Sequence, residues 1–311
     1  KNNFRFLQIS FYPTSIITKI RVILELSYID TINPKIIIST IDTSPLLRNL
    51  ACIDSKRKYY LIQNGVRTSD LPKKIWPPIV FKPIKSENLI YFSFGDFEKS
   101  LNILKNEVYK VFPVGSFRSS ISSYYNNEVK IPYDLCIVSN YYEIEDENNL
   151  DNREKYMYET VSDIHYSWKK LIVQLSDFLN KYKFKTVICL RQKGDENHYE
   201  YKFFEKHLGK IADIIPKRKF DTYFYMKNSE IIISNGCTTL KEVASEGKKI
   251  LAVDYSYDKK FSYPFVDGIW QYTLDSDRDF DKTLKSIIDM DKNEYNEKIK
   301  NWSNDVMKYD K

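Results

Sequence analysis

Glycine is scarce in this chain, with eight in 311 residues, so each position it occupies carries information. Histidine is scarcer still: the three histidines and four cysteines show no metal-ligand spacing among themselves. His165, His198 and His207 fall on predicted helices and are assigned packing or surface roles. Apolar runs are short, far below the ~20 residues of a membrane-spanning helix. The opening Lys1-Asn2-Asn3-Phe4 lacks the charged, apolar and small-residue succession of a secretory signal, and its first residue is not methionine, which leaves a preceding segment open. Cys52, Cys136, Cys189 and Cys237 are widely separated, and three lie in or beside predicted buried strands. Free thiols in a reducing compartment follow, so a cytoplasmic location is expected. Charge of one sign is also lacking: 48 Lys+Arg against 42 Asp+Glu give a net charge of +6. That excess suits an anionic small molecule or an acidic membrane surface, and no basic stripe or RNA-binding motif points to nucleic acid. Hydrophobic residues at 42% and charged residues at 29% describe an ordered globular chain, long enough for two domains.

Two of the rare glycines, Gly236 and Gly247, bracket one short segment, IIISNGCTTLKEVASEGKKILAVDYS, residues 231–256. Ile231-Ile232-Ile233 and Ile250-Leu251-Ala252-Val253 read as buried strands. Leu240, Val243 and Ala244 have the spacing of a short amphipathic helix, and Gly247 fits its C-terminal stop. The segment is therefore strand, polar turn, helix, strand: half of a Rossmann unit. The first N–H groups of a helix have no internal partner, and that end carries partial positive charge. Ser234, Thr238 and Thr239 stand where they can grip a phosphate or ribose oxygen, and Glu242 where it can accept from sugar hydroxyls. The same residue types also serve as helix caps, Thr238 as the cap itself and Glu242 as the far side of a capping box.

Strand and helix signals alternate along the rest of the chain. Strands are predicted at 4–9, 35–39, 59–62, 89–94 and 108–114, with helical patterns at 16–28, 45–51 and 97–107. Residues 119–132, SSISSYYNNEVKIP, read as a linker. Beyond it, strands are predicted at 135–138, 186–190 and 212–215, and helices at 159–182, 197–208 and 294–307. This alternation predicts an α/β chain of two Rossmann-like domains, 1–125 and 126–311, facing a cleft at the carboxyl ends of their strands.

Chemistry is then expected just past the strands. Ser39 to Ser44 follow KIIIS, Gln63 to Arg67 follow YYLI, Gly95-Asp96 follow LIYFSF, and Gly115-Ser116-Phe117-Arg118 follow VFPV. Three of the eight glycines stand at these exits. The set PKIIISTIDTSPLLRNLA, YYLIQNGVR, YFSFGDFE and FPVGSFRSS, together with SNGCTTLKEVASEGKKIL, resembles the bacterial capsule and lipopolysaccharide biosynthesis proteins over residues 34–256. These include the GT-B-type β-transferases of 3-deoxy-D-manno-oct-2-ulosonic acid (Kdo), which use a CMP-activated sugar. The resemblance implies a nucleotide sugar, CMP-linked by preference, held by the second domain, and a glycan or lipid-linked glycan acceptor on the first. It also implies work at the inner face of the plasma membrane, by peripheral contact with the membrane or an assembly complex. Where relatives carry His-Pro after the second strand of the nucleotide domain, this chain reads Arg191-Gln192-Lys193-Gly194, so Arg191 and Lys193 are expected to neutralise the donor phosphate by charge.

Glycosyl transfer needs a carboxylate at a strand exit, either to deprotonate the acceptor or to attack the anomeric carbon. Asp42, Glu143 and Asp146 are the candidates; a cap for Asp42 and a solvated loop for residues 143–147 are the plain alternatives. Asn64, Arg67 and Ser116 are expected to position acceptor or sugar, Arg67 through its planar fork. No metal and no cofactor are expected, since a CMP-sugar leaves with a single phosphate. A nucleotide-sugar epimerase or hydrolase, or a non-catalytic scaffold in polysaccharide assembly, are the alternatives on the same fold.

Overall fold

The computed structural model describes residues 13–42, 44–65, 86–101, 104, 108–122, 132–143, 152–192, 195–217, 221–256, 268–273, 276 and 278–308. The chain divides into two compact units, Lys1–Gly115 and Ser116–Lys311. The division falls before the expected 125/126 boundary, and the segment from Ser116 groups with the second unit. Gly115, at the division, has φ +82°, a conformation that costs glycine little.

The first unit runs α1 (Pro13–Ile32), β1 (Ile36–Ser39), α2 (Pro45–Ile53), β2 (Lys58–Ile62), β3 (Ser86–Ser93), α3 (Phe97–Ser100) and β4 (Val108–Pro113). Its four strands form a parallel sheet in the order β1-β2-β3-β4. Tyr59, Leu61, Leu89 and Tyr91 point from β2 and β3 into a core shared with Val22, Leu50 and Ala51. The expected strand at 4–9 lies outside the described residues.

The second unit begins with α4 (Phe117–Ser122), β5 (Tyr133–Val138), α5 (Asn152–Tyr182), β6 (Thr186–Cys189), α6 (Tyr199–Leu208) and β7 (Ala212–Ile215). It continues through α7 (Asp221–Lys227), β8 (Ser229–Ser234), α8 (Thr238–Ser245), β9 (Lys249–Asp254), β10 (Gln271–Thr273), α9 (Phe280–Asp289) and α10 (Lys292–Val306). All six strands are parallel, in the order β10-β9-β8-β5-β6-β7. β5, β8 and β9 lie inside the sheet with helices on both faces, which is why they read as unbroken apolar runs. Trp168, Leu171, Leu175 and Phe178 of α5 are buried at helical spacing against this sheet. The linker expected at 119–132 begins as helix α4, and residues 123–131 lie outside the described residues. The sequence reading did not anticipate α7, α9 or β10. Among the described residues no helix is long and apolar enough to cross a membrane.

Candidate functional site

Strand order in the second unit reverses between β5 and β8. From β5 the chain steps outward to β6 and β7, then returns to β8 on the other side and continues to β9 and β10. The helices that follow β5 and β8 leave toward opposite faces, which opens a crevice at the carboxyl ends of these two strands. Residues 139–143 after β5, 190–192 after β6 and 235–237 after β8 lie along that edge.

Hydrogen bonds tie the three exits together. Asn140 Nδ2 donates to the Asn235 carbonyl (2.7 Å), and Asn140 Oδ1 accepts from the buried Trp168 Nε1 (2.6 Å). Ser234 Oγ donates to the Val138 carbonyl (2.6 Å), joining the ends of β8 and β5. Ser139 Oγ donates to Glu200 Oε1 (2.5 Å), and the same carboxylate accepts the backbone N–H groups of Arg191 (3.0 Å) and Gln192 (2.8 Å).

Two polar groups on this edge stand unsatisfied. Asn235 is fully buried, and neither its Oδ1 nor its Nδ2 has a partner among the described residues. The guanidinium of Arg191 lies 3.8 Å from the centre of the Tyr142 ring, and its buried Nη1 is likewise unpartnered. Burial lowers the Arg191 pKa, while the charge of Glu200 works the other way. Buried polar atoms are nearly always paired, and each left unpaired costs about 1–3 kcal/mol. Helix α8 starts at Thr238, after the turn Asn235-Gly236-Cys237. Its N-cap is Cys237, which makes no side-chain capping bond, so Thr238 and Thr239 are the first helical residues and not the cap. Gly236 at φ +60° turns the chain into that helix, and Gly247 at φ +79° turns it out again, which answers why two scarce glycines stand there.

Glu242 faces inward from α8 and makes no capping box. Its Oε2 accepts from Tyr223 OH (2.7 Å), and its Oε1 accepts from Ser116 Oγ. One turn on, Glu246 accepts from Ser119 Oγ. Burial raises the Glu242 carboxyl above its ordinary value of 4.5, opposed by the Ser116 and Tyr223 hydroxyls and the charge of Arg118. Ser116, assigned to the first domain from sequence, therefore works within the second unit.

The remaining candidates separate by environment. Glu143 is exposed beyond β5 and accepts from Tyr141 OH through Oε2 (2.6 Å). Asp42 is fully buried in the first unit, where it accepts from Tyr91 OH (2.5 Å) and the Asn64 N–H (3.4 Å). It does not cap α2, whose N-cap is Ser44. Asn64 is exposed after β2. Arg67, Asp146 and Lys193 lie outside the described residues. Asp-x-Asp spacings occur at Asp275–Asp277, Asp277–Asp279, Asp279–Asp281 and Asp289–Asp291; Asp279 and Asp291 cap α9 and α10, Asp281 pairs with Lys181, and Asp275 and Asp277 lie outside the described residues. Among the described residues no group of three or more His, Cys, Asp or Glu could hold a metal ion. His198 caps α6, and His165 Nδ1 sits 3.0 Å from the Tyr142 carbonyl.

Asn235, Tyr142, Tyr223 and Glu200 were not singled out from sequence. Glu200 alone left a readable sign: with Phe204 and Leu208 it forms the buried i, i+4, i+8 face of α6.

No protein-family model matches the chain, and no curated protein matches it. Solved structures do. MnaA of S. aureus, in its UDP co-structure, is 12% identical, with 96% of this chain and 78% of that one covered and a TM-score of 0.53. Os79 of O. sativa, in complex with U2F and trichothecene, is 13% identical, with 93% and 77% covered and a TM-score of 0.53. The fold is of the GT-B type, two Rossmann-like units in one chain. At these identities the likeness extends to the fold alone.

Proposed function

We propose that this chain is a glycosyltransferase that holds a nucleotide-linked sugar in its second unit and transfers the sugar to a glycan acceptor. The observation that carries the reading is Asn235. A fully buried amide with both polar atoms unpartnered among the described residues stands at the point where strand order reverses, in the turn that leads into α8. A phosphate supplies what is missing there, accepting from Asn235 Nδ2 beside the partially positive N-terminal end of α8. Arg191 brings a cation with one free nitrogen to the neighbouring strand exit, suited to the same anion. Glu242 already holds two hydroxyls, from Ser116 and Tyr223, and a ribose diol offers donors of the same kind.

The proposed base or nucleophile is Glu143, an exposed carboxylate oriented by Tyr141, with Asp146 in reserve. Asn64 and Arg67 of the first unit are proposed to position the acceptor. Within this class, the sequence resemblance favours a CMP-linked acidic sugar such as Kdo and a surface-polysaccharide acceptor. The UDP bound to the S. aureus neighbour makes a UDP-sugar the competing donor. A thermal-shift panel of CMP, UDP and GDP decides between them. Selective binding raises the melting temperature, by about 2.7 kcal/mol of stability at a hundredfold excess over Kd. One nucleotide is expected to shift the transition, and its identity names the donor. Silence from all three rejects the nucleotide reading and leaves the scaffold.

A further inference from the structure

Glu200 holds an unusual position for a carboxylate. It is the second residue of α6, where a glutamate ordinarily faces solvent and complements the positive end of the helix. Here it is fully buried, on the same face as Phe204 and Leu208. A buried carboxylate is expensive unless its oxygens are well bonded. These are: Oε1 takes the Ser139 hydroxyl and the Arg191 N–H, and Oε2 takes the Gln192 N–H. Ser139 belongs to the β5 exit and Arg191-Gln192 to the β6 exit, so one carboxylate clips two adjacent strand ends. Ser139 Oγ also accepts the Tyr141 N–H (3.1 Å), which extends the clip to the residues that carry the Tyr142 ring.

The consequence falls on Arg191. Glu200 bonds its backbone but makes no ion pair with its guanidinium among the described residues. The guanidinium instead rests on the Tyr142 ring with Nη1 buried and unpaired. The charge of Glu200 opposes the lowering of the Arg191 pKa by burial, while its bond to the Arg191 N–H leaves Nη1 unpartnered. A merely structural clip does not require a buried charge, because a neutral carbonyl accepts the same N–H groups.

We infer that Glu200 is a positioning residue that fixes Arg191 over Tyr142 with a free nitrogen for the anionic group of the ligand. The inference rests on the nucleotide reading above and adds to it the residue through which Arg191 acts.

The test compares nucleotide with nucleoside. Dissociation constants are measured by calorimetry for CMP and UDP and for cytidine and uridine, on the wild type, Glu200→Gln, Arg191→Ala and the double variant. Glu200→Gln is expected to weaken binding of the nucleotide about tenfold and of its nucleoside less than about twofold, and to add nothing in the Arg191→Ala background. A purely structural role would weaken both ligands alike, and that outcome overturns the inference. So does an unchanged nucleotide affinity, or an undiminished effect of Glu200→Gln when Arg191 is already gone. Should Glu200→Gln fail to fold, Ser139→Ala removes one donor and leaves the backbone bonds. It is expected to give a smaller loss in the same direction, again absent with Arg191→Ala, and equal loss for nucleoside and nucleotide overturns the inference. A wild type that binds neither nucleotide refutes the parent reading as well, which separates that failure from the others.

Discussion

Asn235→Ala separates a ligand-binding amide from a structural one, because the two roles predict opposite effects on stability. In a structural turn, an asparagine that bonds its surroundings loses those bonds on truncation and the protein is destabilised. Here the two polar atoms of a fully buried side chain are unpartnered, and each carries a penalty of about 1–3 kcal/mol. Alanine removes both penalties and leaves a small void, whose cost offsets part of the gain. The backbone is not strained by the change: Asn235 is absent from the positive-φ residues, and its carbonyl keeps the bond from Asn140. The unliganded variant is therefore expected to be as stable as the wild type or more so, at roughly 2–4 °C in melting temperature per kcal/mol for a body of this size. A hydrogen bond to a charged phosphate contributes about 1.5–3 kcal/mol, so the nucleotide Kd is expected to rise roughly ten- to a hundredfold. Differential scanning fluorimetry without ligand and calorimetry with the responding nucleotide measure the two quantities. A marked fall in melting temperature with an unchanged Kd refutes the reasoning and makes Asn235 a structural residue of the turn.

The raised pKa of Glu242 has a sign that can be checked. The folded protein holds this proton more tightly than the unfolded chain, so stability declines as pH climbs from about 4.5 through the folded value, and Glu242→Gln removes that slope. The melting temperature of the variant relative to wild type is expected to be higher at about pH 8 than at about pH 4.5; an identical offset at both ends defeats the assignment. For the carboxylates proposed to act in transfer, Glu143→Gln should lower turnover by orders of magnitude at near-normal nucleotide affinity. Asp42→Asn should instead lower the melting temperature and leave turnover per folded molecule nearly intact, and the reverse pattern would exchange their roles.

The β8–α8–β9 segment was legible because its strands are central in a parallel sheet. Buried on both faces, they carry Ile231-Ile232-Ile233 and Ile250 to Val253 without interruption, and the two scarce glycines mark where the backbone turns. β10 left no comparable trace: three residues, Gln271-Tyr272-Thr273, are too few to show a period. α9 carries Phe280, Leu284 and Ile287 at helical spacing, a pattern the sequence does show. Partners of the site residues were a different matter. Glu242 meets Tyr223 from α7 and Ser116 from the start of the second unit, 126 positions away in the chain. Pairings over such separations follow from the topology and leave no spacing signal.

Four carboxylates, Asp42 and Glu143 past strand ends and Glu200 and Glu242 on helices, show most plainly what sequence leaves open, since each is the same chemical group until its donors are counted. Asp42 is closed off by a tyrosine hydroxyl and a backbone N–H. Glu200 is occupied by two backbone N–H groups and a serine. Glu242 holds two hydroxyls, which a sugar can replace in kind. Glu143 is exposed and has one hydrogen-bond donor among the described residues, Tyr141 OH on Oε2, so Oε1 is left for a substrate hydroxyl. A carboxylate can take up a proton during transfer only if the reacting hydroxyl can reach it and its oxygens are not already committed. By that criterion the expectation that joined Asp42 and Glu143 as equals divides: burial and satisfied bonding make Asp42 a tie between β1, β2 and β3, while Glu143 keeps the access that proton transfer requires.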